Sequence, residues 1–120
     1  WNDMLMSLAR SKTEIMARAV RDLLADNLST LPGLIEAENA ASVHFYFANY
    51  TGMRKYLFPE ALNAYHSWVD SGDWRALQAL VAEAAPRWTA TAQGMLHLYQ
   101  RQGTAAGPAI EALLEPAAKG

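Results

Sequence analysis

The stretch "SVHFYFANYTGMRKYLFPEALNAYHSWVDSGDW", Ser42 to Trp74, decides the fold class. It holds three Phe, four Tyr, two Trp and two of the chain's three His. Its opening, "VHFYFAN", is β-prone by residue type, because aromatic and β-branched side chains suit a pleated surface. A strand also needs alternation and a partner. This segment alternates poorly, and no second strand is legible elsewhere in the chain. The reading is therefore helix or irregular. The residues that follow are easier. Thr51 can cap a helix reaching Leu57, and Pro59 suits the first turn of another that ends at Gly72.

Outward from this stretch, apolar residues recur at three- and four-residue intervals, the helical period. A short first helix is expected over Asp3 to Ala9. "SKTE" then places Ser11 three residues before Glu14, the capping-box pattern, with Ile15, Ala19, Val20 and Leu23 on one face of a helix running to about Leu28. Pro32 and Gly33 in "TLPGL" are expected to stop it, leaving one or two further turns over Leu34 to Ala41. On the other side, Asp73 caps a long helix with Leu77, Leu80, Val81, Ala84 and Trp88 on its apolar face. Pro86 is expected to kink or break it. A further segment runs to Gln102, Gly103 closes it, and Pro108 starts a short terminal helix before Pro116. The expected fold is all-α: an antiparallel bundle of about five to seven helices, with residues 1–120 as one helical domain.

At 120 residues the chain can bury one core but not two. Apolar residues make up 52% and charged residues 18%, a globular balance far from that of disordered chains. Net charge is −2 and the pI about 5.9, so no basic field exists to attract phosphate backbones, and direct nucleic-acid contact by this segment is not expected. The absence of Cys excludes disulfides, zinc–thiolate sites and thiol nucleophiles. No apolar run is long enough to span a membrane and no secretory signal pattern is present, so the default location is the cytoplasm. Because the sequence opens on Trp1 rather than Met, it reads as a piece of a longer polypeptide.

Little in the sequence supports catalysis. His44, His66 and His97 have no partner at metal-ligand spacing except Asp70 after His66. Glu36 and Glu38, two apart, point to different helix faces. There is no nucleophile elbow and no phosphate-cradling loop. The aromatic residues remain. Tyr65, Trp68, Trp88 and Tyr99 fall where they can face a common centre, as core or as the wall of a cavity inside a bundle. Arg54, Arg87 and His66 would supply charge for an acidic ligand. On that reading Arg54→Ala spares the fold and weakens binding. The candidate ligand-binding residues are thus Arg54, Tyr65, His66, Trp68, Trp88 and Tyr99.

"LARSKTEIMARAVRDLLA", Leu8 to Ala25, resembles the helical segment of the FCD effector domain of GntR-type transcription regulators. "FYFANYTGMRKY" is similar to the Tyr-Phe-Ala/Ser-Asn and downstream Arg segment of the FadR-type subgroup, and "VDSGDWRALQALV" resembles the Gly-Asp helix junction of FCD domains. The matches keep their order from Trp1 to about Val81. Many FCD domains bind a divalent metal through an Asp and three His, but the first two ligand positions carry Trp1 and Leu5. The resemblance therefore implies a version with no metal and no cofactor, holding an acyl ligand in the helical bundle. A second resemblance covers about Phe58 to Pro116: "FPEALNAYHSWVDSGDWRALQAL" and "GTAAGPAIEALLEP" look like the C-terminal helices of the dihydrodipicolinate synthase family. No barrel strands or Schiff-base Lys accompany them, so an active enzyme of that type is not expected.

The expected function is accordingly a small-molecule-sensing domain of a bacterial transcription regulator. Its partners would be an organic acid or acyl compound and a second copy of the chain in a homodimer, with neither membrane nor nucleic acid contacted directly. The alternative is a structural or protein-interaction domain, or a helical C-terminal fragment of an aldolase-type enzyme.

Overall fold

The computed structural model describes Trp1, Met4 and residues 12–119, with side chains as far as Glu115. The expected helix over Asp3 to Ala9, the Ser11 cap and Leu5 lie outside the described residues, although Met4 is helical and fully buried. Among the described residues the chain is all-helical, without strand.

Helix α1 spans Lys12–Ala25 and buries Thr13, Met16, Ala17, Ala19, Val20 and Leu23. The expected face was nearly right, but Ile15 is exposed and Met16 takes its place. The reason lies in what packs on α1, namely three later helices: α4 (Gly52–Leu57), α6 (Arg75–Gln102) and α7 (Gly107–Lys119). A stripe covered from three sides is wider than one apolar row, and Met16 and Ala17 fall inside it while Ile15 falls outside. Thr13 is buried and donates to the Glu111 carboxylate on α7 at 2.5 Å. Gly107 sits against it, and a Cβ at Gly107 would come within 3.2 Å of Thr13 Oγ1, so the glycine permits the close approach of α7 to α1.

Pro32 does not stop the first helix. The backbone widens into a π-helical turn over Asp26–Thr30, in which the Leu31 N–H bonds to Asp26 O, and continues directly into α2 (Leu31–Glu36). The register change places Pro32 in the first turn after it, where a missing N–H costs least. The real break comes at Glu38, whose φ of 49° is left-handed. Asn39 then starts α3 (Ala40–Ala48), accepting the Ser42 N–H on its side chain at 3.1 Å. The β-prone "VHFYFAN" therefore lies largely in a helix. Its Val43 and Phe47, four apart, are buried on one side.

Thr51 precedes α4 as expected, but its side chain makes no capping bond. Helix α5 (Glu60–Ser71) follows Pro59 and ends at Gly72, whose φ of 69° suits a residue without Cβ. At 28 residues, α6 is the spine of the molecule: at 1.5 Å per residue it is about 42 Å long, against a longest dimension of 46 Å. It passes Pro86 unbroken. The proline penalty, roughly 3 kcal/mol in a helix interior for the missing hydrogen bond and the ring's clash with the preceding turn together, is offset by the packing of Ala84 and Trp88 on either side, both essentially inaccessible. Gly103 closes α6 as expected, and α7 continues through Pro116 rather than ending before it.

Candidate functional site: an aromatic niche between α3 and α5

Helix α3 turns Val43 and Phe47 inward, which leaves His44 on its outer side. From α5, Tyr65 stacks on Phe47 with ring centroids 4.5 Å apart, and its hydroxyl lies 2.8 Å from His44 Nδ1. Where Tyr65 is the donor, the imidazole proton sits on Nε2, which makes no hydrogen bond among the described residues. Trp68, one turn beyond Tyr65, lies 4.9 Å from the His44 ring and 4.8 Å from Trp74. Trp74 is brought there by the reversal at Gly72 and by Asp73. The Asp73 carboxylate accepts from the Arg75 backbone N–H at 2.9 Å and from the Arg75 guanidinium, bonds that hold its carboxyl below the usual range. His44, Trp68 and Trp74, with Ala40, Val69 and Gly72, line an open cavity of about 260 Å³.

The six candidate residues do not converge on this place. Trp68 lines it, and Tyr65 adjoins it through the contact with His44 without lining the cavity. His66 is exposed, its ring 5.7 Å from that of Tyr65. Trp88 is fully buried in the core, edge-on to Phe58 at 5.5 Å. Tyr99 lies in the C-terminal half of α6, packed against the core. Arg54 lies in a network of its own, donating to Asp26 Oδ2 at 2.8 Å and to Asn49 O at 3.1 Å, with its guanidinium over the rings of Tyr46 and Tyr50. Asp26 also accepts from the Tyr46 hydroxyl at 2.7 Å. Arg54 thus joins α4 to the π turn and to α3, so its loss bears on the fold and not on a ligand alone. Arg87 is likewise paired, donating to Glu60 Oε2 at 2.7 Å.

Two niche residues, His44 and Trp74, were absent from the candidates. The density of aromatic residues in Ser42 to Trp74 marks the region, but His44 on α3 and Trp74 in the turn before α6 reach Trp68 from separate elements, and helical spacing within one element cannot reveal such a meeting. Among the described residues no group of three or more His, Asp or Glu is placed to hold a metal ion. No helix there is long and apolar enough to cross a membrane.

Two outcomes follow from this geometry. Tyr65→Phe removes one hydrogen bond at a partly open site while keeping the stack on Phe47. It should cost about 1 kcal/mol or less in urea denaturation. The second concerns alkaline pH. Burial first, then the neighbouring Asp26 carboxylate, raises the Tyr46 hydroxyl far above its ordinary 10.0, and burial likewise raises Tyr50, whose hydroxyl donates to Phe58 O at 2.6 Å. Both stay protonated in the native state while the unfolded chain ionises. Stability is therefore complete below about pH 10 and falls as pH rises above it, by up to roughly 1.4 kcal/mol per pH unit for each group. Urea midpoints measured on both sides of that pH should show the fall, and Tyr46→Phe should make it shallower. An unchanged slope in Tyr46→Phe would remove Tyr46 as its origin.

The fold and niche define a helical domain with a surface opening walled by aromatic rings. Over residues 1–117 the chain matches the C-terminal domain of a family of unknown function (DUF6866), and it belongs to that family. No curated protein and no solved structure matches it.

Proposed function

We propose that this chain is a small-molecule-sensing domain of a bacterial transcription regulator, an antiparallel helical bundle that takes an organic acid or acyl compound at the α3–α5 niche. The observation that carries the reading is the niche itself: His44, Trp68 and Trp74 around an opening of about 260 Å³. Aromatic walls with one placed polar group are the usual make-up of a small-molecule site. A ligand carboxylate would accept from His44 Nε2–H while its acyl chain lies on Trp68, Trp74 and Val69. Such a ligand would hold α3, α5 and the start of α6 in one arrangement, a population shift that attached domains can read. The resemblance to FCD effector domains supports the regulatory part of the reading, with a homodimer acting in the cytoplasm and no direct DNA contact by this segment. The description of the family as a C-terminal domain suits an effector domain placed behind a DNA-binding one.

A thermal-shift series with hexanoate, octanoate and their acyl thioesters, with 1-hexanol as neutral control, tests this. A ligand at a hundred times its Kd adds about 2.7 kcal/mol of stability. Acids should raise Tm, and Trp68→Ala or His44→Ala should abolish the rise. If no acid or thioester shifts Tm, or if Trp68→Ala responds like the parent, the niche is not the site.

One observation favours a second reading, a protein-interaction domain. Phe45 on α3 is 74% exposed and Val69 on α5 is 49% exposed, and large apolar side chains left in water are common at partner surfaces.

A further inference from the structure

The niche between α3 and α5 has a more particular make-up than an apolar opening. Trp68 meets two other rings: the His44 imidazole from α3, 4.9 Å away and tilted by 44°, and the Trp74 indole from the turn before α6, 4.8 Å away and tilted by 52°. Because all three border one cavity and none is parallel to its neighbour, they form a trough and not a flat wall. Trp68 is buried, Trp74 half-buried and His44 exposed, so the trough descends from an imidazole rim to an indole floor. The remaining lining, Ala40, Val69 and Gly72, is small and uncharged.

This arrangement separates the two ends of an acid. A carboxylate at the exposed rim keeps part of its hydration, so no charge has to be buried without a partner. No Lys or Arg lines the cavity among the described residues, so the head group gains no ion pair there and discrimination falls to the walls. Those walls are π systems, which favour a second ring in a tilted or edge-to-face contact beyond what buried area alone provides. A flexible alkyl chain gains only the area and gives up rotamer freedom on binding, whereas a ring is already rigid. The volume of about 260 Å³ lies just below the roughly 300 Å³ at which sites for drug-sized molecules begin, which suits a single ring.

We infer that the niche takes an arylcarboxylic acid, a one-ring aromatic acid, in preference to an alkyl acid of the same size. This rests on the reading of the niche as an acid site and narrows it. The carboxylate sits at the His44 rim and the ring lies against Trp68 and Trp74.

The test is a titration of the ¹⁵N-labelled protein with phenylacetate and, in parallel, with cyclohexylacetate, which has the same number of heavy atoms and is the more apolar of the two. Burial of apolar area alone favours cyclohexylacetate, so a preference for phenylacetate isolates the ring contacts. Phenylacetate should bind at least about fivefold more tightly, with saturable shifts of the Trp68 and Trp74 indole N–H signals. Trp74→Leu keeps apolar surface at the half-buried wall but removes its ring, and should bring the two affinities within about twofold of each other. Equal or tighter binding of cyclohexylacetate at the same indole signals overturns the inference and leaves the acid site standing, as does a phenylacetate preference undiminished in Trp74→Leu. If neither acid moves the indole signals, the niche is not an acid site and the inference falls with it.

Discussion

Replacing Trp88 by Ala is expected to cost roughly 3 to 5 kcal/mol in urea denaturation, the largest effect of any single substitution considered for this chain. Trp88 is fully inaccessible, meets Phe58 edge-on at 5.5 Å and carries the Arg87 guanidinium over its ring. It sits on the 28-residue spine two positions after Pro86, where the backbone has already lost a hydrogen bond. Truncation would leave a void that a helix held along its whole length cannot close. A change of that size is a large share of the 5–15 kcal/mol by which domains are usually stable. Trp68→Ala should cost clearly less, because Trp68 borders an open cavity whose walls can relax or admit water. A Trp88→Ala protein within about 1 kcal/mol of the parent would mean that the core around α6 is not packed as described.

The second large effect is expected at Asp26. Its carboxylate accepts from both Arg54 and Tyr46, and its side chain is only 14% exposed, against 25% for Arg54. Asp26→Ala strips two donors of their acceptor and loosens the joint between the π turn, α3 and α4. The cost should be roughly 2 to 3 kcal/mol, below the 3–5 typical of a fully buried broken pair because Arg54 keeps some access to water. A double-mutant cycle with Arg54→Ala isolates the pair. The double variant should be less destabilised than the sum of the singles by at least about 1 kcal/mol. Additive losses would show that Asp26 and Arg54 act independently and that the network does not join these segments.

Much of the architecture can be read from local chemistry. Gly72 and Gly103 end helices where expected, the helix after Pro59 begins as expected, and the apolar spacing of Leu77, Ala84 and Trp88 marks the buried side of the spine. These features depend on residues within a turn of one another, so the chain carries them in plain order. Pro32 was misjudged for the opposite reason, and of the two outcomes expected at Pro86, a kink or a break, the break does not occur. A proline raises the cost of a helix by a fixed local amount, but whether the helix survives depends on the packing around it and on whether the backbone can widen, as it does over Asp26–Thr30.

The candidate site divides along the same line. That Ser42 to Trp74 is rich in aromatic side chains, that the chain lacks cysteine and a basic field, and that helices prevail were determined by sequence alone, because composition and period are properties of the chain. Which aromatic residues meet was decided only by tertiary structure. His44, Trp68 and Trp74 come from α3, α5 and the turn before α6, while Trp88, on an equally regular helical face, is drawn into the core. Arg54 and Arg87, equivalent as charges on the chain, are each claimed by a carboxylate about 27 residues away, Asp26 and Glu60. A long-range ion pair forms where two helices happen to place donor and acceptor within hydrogen-bonding distance, and only the packing of those helices sets that distance.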